Sequence, residues 1–201
     1  MKDIIPYGKH FIDQDDIDTV VDILKNHNLT QGKAVDAFEE AVAKFVGARY
    51  AVAMSSWTSG LHMAYLAAGV KKDDTVITSP LTFIASANAA LYCNAKPVFT
   101  DIDSRTMNMD IESLKETIIK NPNPKAILPV HFAGLACNME EIKNISDKTG
   151  AIVIEDAAHA LGARYKDGSM VGNCKYSDMT GFSFHPVKSI AAGEGGMITT
   201  N

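Results

Sequence analysis

Four groups of residues in this 201-residue chain have the chemistry to act on a ligand. Lys188 ends the stretch Phe182-Ser183-Phe184-His185-Pro186-Val187-Lys188 and is followed by Gly193-Glu194-Gly195-Gly196. A lysine amine becomes a covalent nucleophile when it forms a Schiff base, and nearby glycines permit close backbone approach or tight turning. Most lysines are instead solvated surface charges. Glu155 and Asp156 close the apolar run Ala151–Glu155. A carboxylate there can hold a metal, act as a base or pair with a protonated ring nitrogen, and helix N-capping is the ordinary alternative. His159 can donate to a ligand oxygen or partner the neighbouring backbone. No second His or Cys lies at ligand spacing from Asp156, so a metal is the weaker reading. Ser55-Ser56-Trp57-Thr58-Ser59-Gly60 can present hydroxyls and free N–H groups to an anion such as a phosphate, or can simply cap a helix.

For these groups to meet, strands must deliver them to one place. From Tyr50 onward strand-like and helix-like segments alternate: strand Tyr50–Met54, helix Thr58–Ala68, strand Thr75–Thr78, helix Phe83–Tyr92, strand Pro97–Asp101 and helix Ile111–Ile119. Strand Ala126–Val130, helix Asn138–Thr149 and strand Ala151–Glu155 continue the pattern. Short, apolar, β-branched strands separated by helices predict parallel strands covered on both faces, hence a three-layer α/β/α sandwich around a mixed, mostly parallel sheet. A hairpin is expected at Ala163–Tyr165 and Ser169–Val171, and the runs Met179–Ser183 and Gly195–Thr199 are expected to close the sheet with at least one antiparallel member. Two amphipathic helices precede the sheet. Asp13 can cap the first, with Asp16 three residues on and Ile17, Val20, Val21 and Leu24 on one face; Val35, Phe38, Val42 and Phe45 stripe the second. In open α/β sheets ligands bind at the C-terminal strand ends, where all four groups fall.

Composition narrows the partners. With 19 Lys and Arg against 24 Asp and Glu the formal charge is −5, no footprint for nucleic acid or an anionic membrane. No segment reaches the roughly 18 apolar residues of a membrane span, and the N-terminus lacks a signal-peptide run. A cytoplasmic protein with small-molecule or protein partners is expected. Cys93, Cys137 and Cys174 are too few and too scattered for a disulfide framework and read as packed or incidental thiols.

Several spaced motifs, in order, resemble the sugar-nucleotide aminotransferase family of the pyridoxal-phosphate fold type I. They are Thr30-Gln31-Gly32, the Ser55–Leu61 turn, Ser79-Pro80-Leu81-Thr82-Phe83, Pro129-Val130-His131-Phe132-Ala133-Gly134, Glu155-Asp156-Ala157-Ala158-His159-Ala160-Leu161-Gly162 and the Phe182–Lys188 stretch with its glycines. The resemblance implies that Lys188 forms a Schiff base with pyridoxal phosphate and that Asp156 pairs with the pyridinium nitrogen. It places His159 near the phenolic oxygen, Thr58, Ser59 and Ser183 in the phosphate cup, and Phe83 and Ala158 on the two faces of the ring. Tyr7, Asn28, Leu29 and Thr30 match positions on the nucleotide-sugar side. The family's transaminases for pseudaminic acid and spore-coat polysaccharides look most similar.

The activity implied is transfer of an amino group from L-glutamate to a keto group of a nucleotide-linked deoxysugar, by a homodimer. Two departures stand out. Trp57 occupies a turn position where the family usually carries a small residue, so either the turn is shifted or the indole points into the core. The family's chains also run to roughly twice this length, so residues 1–201 are expected to be the cofactor-binding large domain without the small C-terminal one. A non-catalytic fragment that binds cofactor or a partner is therefore one alternative. A pyridoxamine-phosphate-dependent sugar dehydratase is the other, disfavoured because such enzymes replace the lysine with His.

Overall fold

The computed structural model describes residues 8–201. Seven strands form one sheet: β1 (Tyr50–Met54), β2 (Thr75–Thr78), β3 (Lys96–Phe99), β4 (Ala126–Leu128), β5 (Ile152–Asp156), β6 (Met179–Ser183) and β7 (Gly196–Thr200). Their order is β1-β7-β6-β5-β4-β2-β3. β7 runs antiparallel to both neighbours, and the remaining pairs are parallel. The helices among the described residues are α1 (Gln14–Asn26), α2 (Lys33–Val46), α3 (Trp57–Ala67), α4 (Ala85–Tyr92), α5 (Ile111–Lys120) and α6 (Met139–Thr149). None is long and apolar enough to cross a membrane.

The pleat divides the core into two layers. Val76, Leu128, Ile154 and Ile198 point to one face, where α3 and α4 cover them with Leu61, Ala64, Tyr65 and Ala89. Their strand neighbours Ile77, Ile127, Val153 and Met197 point to the other, packed with Val42, Val46, Leu114 and Ile142 of α2, α5 and α6. Alternate residues of a strand must take opposite faces, so a continuous apolar run is the pattern of a strand buried on both.

Local chemistry explains the helix boundaries. Asp13 and Asp16 form a reciprocal capping box at α1, each carboxylate accepting from the other's backbone N–H at 3.1 Å. Gly47 and Gly150 end α2 and α6 in the left-handed conformation that glycine adopts without a Cβ penalty. The expected stripe on α2 is rotated: Val42 and Val46 are buried, whereas Val35 and Phe45 are exposed. α1 keeps its amphipathic spacing but buries none of its residues. Several boundaries also differ from the pattern. α4 begins at Ala85, leaving Phe83 ahead of the helix; β3 is Lys96–Phe99; and β4 stops at Leu128, with Val130 in an isolated bridge to Asp156. The hairpin after β5 is present as the antiparallel bridge Arg164–Met170.

Candidate active site

The register places Asp156 opposite Gly181 in β6, and Ser183 opposite Gly196 in β7, which in turn pairs with Met54 of β1. The ends of β1, β5 and β6 therefore share one sheet edge. There they open a cleft of about 560 Å³, continuous through shared walls with a hollow of about 160 Å³. Thr58, Phe83, Asp156, Ala158, His159, Ser183 and Lys188 all line it.

Asp156 lies on the floor, 5% exposed. It sits two residues after Ile154, so it takes the same face, toward α3 and α4. Its Oδ1 accepts from Trp57 Nε1 at 2.8 Å and from the Ala158 N–H at 3.2 Å; Oδ2 accepts from Ser86 Oγ at 2.8 Å. No helix follows directly, so the Ala158 contact is an Asx-type turn and not an N-cap. Glu155 reaches the same edge but the opposite face. There, fully buried, it accepts from Tyr165, Ser177 and Thr180, and from His131 Nε2 at 2.7 Å. His131 Nδ1 accepts from the Cys137 N–H at 3.0 Å, which assigns the proton of the neutral ring to Nε2. Burial alone would raise the Glu155 carboxyl; the hydrogen bonds from His131, Ser177 and Thr180 outweigh it and hold the group below its ordinary value.

Lys188 Nζ is 2.6 Å from His159 Nε2. Burial lowers the lysine against the weaker opposing pull of Asp156. His159 is lowered first by burial and then by the charge of Lys188. An ammonium can only donate, so when Lys188 is charged Nε2 is the acceptor.

The turn after β1 resolves toward capping. Ser56 Oγ accepts from the Ser59 N–H at 3.1 Å, and Ser59 Oγ accepts from the Ser56 N–H at 3.3 Å while donating to the Ser56 carbonyl. Ser59 is thus engaged in the cap and does not line the cleft, whereas Ser56, Trp57 and Thr58 do. The first N–H groups of α3 have no intrahelical acceptor and favour an anion. The Trp57 indole goes into the core. Ser183 Oγ accepts from the His185 N–H at 3.4 Å, and Phe83 is 73% exposed at the cleft mouth.

Asn28, Leu29 and Thr30 lie in the exposed α1–α2 connection and are not brought to this cleft. Tyr7 lies outside the described residues. Among the described residues no group of three His, Cys, Asp or Glu could hold a metal ion. Sequence reasoning missed Ser86 and the Trp57–Asp156 bond. Ser86 carried a signal: it is a polar residue on a helix face otherwise made of Ala85, Ala89 and Ala90, and a buried hydroxyl needs a partner.

Residues 10–201 match the family model described as the DegT/DnrJ/EryC1/StrS aminotransferase family. The chain is 43% identical over 197 residues to the spore coat polysaccharide biosynthesis protein SpsC of Bacillus subtilis, covering 98% of this chain and 49% of that protein. It is 45% identical over 199 residues to a UDP-4-amino-4,6-dideoxy-N-acetyl-beta-L-altrosamine transaminase of Campylobacter jejuni, covering 98% and 52%. The PLP-form of Spr1654 from Streptococcus pneumoniae superposes with a TM-score of 0.91 at 29% identity, over 98% of this chain and 53% of that one. The chain spans about half the length of the curated relatives it matches.

Proposed function

The chain belongs to the DegT/DnrJ/EryC1/StrS aminotransferase family, and from that premise we propose that it is the cofactor-binding large domain of a pyridoxal-phosphate-dependent transaminase. The enzyme would move an amino group from L-glutamate to a keto group of a nucleotide-linked deoxysugar. One observation carries this reading: Lys188, the Asp156 carboxylate and the start of α3 line the same cleft.

The residues fit the cofactor by chemistry. The N-terminus of α3, with Thr58 and Ser183, suits a phosphate; anionic Asp156 suits a protonated ring nitrogen; Phe83 and Ala158 offer apolar surface to a flat ring. When bound, pyridoxal phosphate supplies a carbon that amines attack and a ring that takes up electrons released at the donor's Cα. Lys188, partly desolvated, holds a neutral amine more readily than a surface lysine does, and so can accept the proton that Cα releases. His159 Nε2 orients that amine. Asp156 would hold the proton of the ring nitrogen in place. Asn28, Leu29 and Thr30 would meet the nucleotide sugar where it extends beyond the cleft. Exposed apolar residues on α1 and α4 favour a homodimer.

Incubation with pyridoxal phosphate followed by borohydride reduction is expected to leave a pyridoxyl group on Lys188, located by peptide mass mapping. Label spread evenly over surface lysines, and unchanged in Lys188→Ala, would sink this reading. With glutamate and a panel of keto-sugar nucleotides, product mass should report gain of an amine and not loss of water.

A further inference from the structure

Trp57 opens α3, yet its side chain turns inward and is 5% exposed. The indole rests on bare backbone at two glycines. A Cβ built at Gly181 in β6 would lie 1.8 Å from Cη2, and one at Gly60 would lie 2.8 Å from Cε3. Neither glycine has a positive φ, so each is required for space and not for conformation. The indole Nε1–H donates to Asp156 Oδ1 at 2.8 Å. With Ala158 N–H on Oδ1 and Ser86 Oγ on Oδ2, three donors meet a carboxylate that has about four acceptor sites, leaving capacity on Oδ2.

We propose that Trp57 is a positioning residue, matched to Gly181, which locks the Asp156 carboxylate in one orientation on the cleft floor. The proposal rests on the cofactor reading above. A carboxylate held in one orientation would keep its charge directed at the ring nitrogen of a pyridine cofactor and so favour a protonated ring. The bond forms in a buried setting, where hydrogen bonds to a charged group are strong and a missing partner is costly.

Trp57 is the sole tryptophan of these 201 residues, so its emission reports on the cleft without labelling. Titration of the wild-type protein with pyridoxal phosphate is expected to quench that emission. Trp57→Phe keeps a ring over Gly181 and removes the N–H. It is expected to weaken cofactor binding about tenfold, the scale of one hydrogen bond to a charged group, read for wild type and variants alike from the absorbance of the bound cofactor because the variants contain no tryptophan. It should also shift the pH at which the absorbance of the bound cofactor changes. Loss of packing alone would lower the melting temperature and leave that pH unmoved. Should Trp57→Phe fail to fold, the double variant Trp57→Ala/Gly181→Val refills the space from the strand side without a donor, and the same two measurements decide. Wild-type affinity with an unmoved pH profile in a folded variant overturns the proposal and leaves the cofactor reading standing. Absence of quenching together with absence of label on Lys188 in the wild type overturns both.

Discussion

Adjacent carboxylates have unrelated environments here, because the pleat sends them to opposite faces of β5. Asp156 faces the cleft and has room for a ligand; Glu155 is surrounded by protein donors. In a complete enzyme Asp156→Asn should preserve the fold and lower turnover about a hundredfold or more, the scale of losing a preorganised electrostatic contact. Steady-state rates at saturating substrate check this, and wild-type turnover would assign the role elsewhere. Glu155 makes a different prediction. Its pKa in the fold lies below its ordinary value of 4.5, so its contribution to stability is complete above that pH and is lost as pH falls through the lower folded value. Denaturant unfolding of Glu155→Gln should show a lower stability at neutral pH, by about 1–3 kcal/mol, and a flatter acid limb. A variant with the wild-type acid profile would show that the network titrates through another group.

At the level of elements, α3 does two jobs with one short segment. Its first turn faces the cleft, and Leu61, Ala64 and Tyr65 fill the core against the sheet. The Ser56–Ser59 cap satisfies the backbone N–H groups of Ser56 and Ser59. Ser56→Ala is expected to cost about 1 kcal/mol, whereas Leu61→Ala, at a fully buried position, should cost about 2–5 kcal/mol. Urea unfolding of the two variants tests the order; equal losses would mean that the helix start carries more of the fold than its packing does.

For the whole molecule, the described residues leave many large apolar side chains exposed. Phe11 is 87% exposed, Val20 and Leu24 of α1 are 57% and 62% exposed, and Ile84, Leu91 and Tyr92 project around α4. Exposed apolar side chains of this kind mark association sites. Sizing with light scattering at micromolar concentration is expected to give a mass at least twice the 21.7 kDa chain, insensitive to salt because the contact is apolar. A 21.7 kDa species throughout the concentration range would contradict the homodimer.

Periodicity in the sequence was enough to determine the alternation of strands and helices, the three layers and the single edge to which the strands deliver Thr58, Asp156, Ser183 and Lys188. Those signals are local: period two and period 3.6 follow from backbone geometry and survive without knowledge of neighbours. The cap of α1 was legible for the same reason, since Asp13 and Asp16 are three residues apart. Tertiary structure alone decided which face of α2 is buried, why Asn28, Leu29 and Thr30 stand outside the cleft, and what surrounds each carboxylate. Trp57 and Asp156 are separated by 99 positions, and Ser86 and Asp156 by 70. Whether an indole can reach a carboxylate depends on the missing Cβ of Gly181 in a strand still further along the chain, a steric condition that exists only once α3 has packed on the sheet.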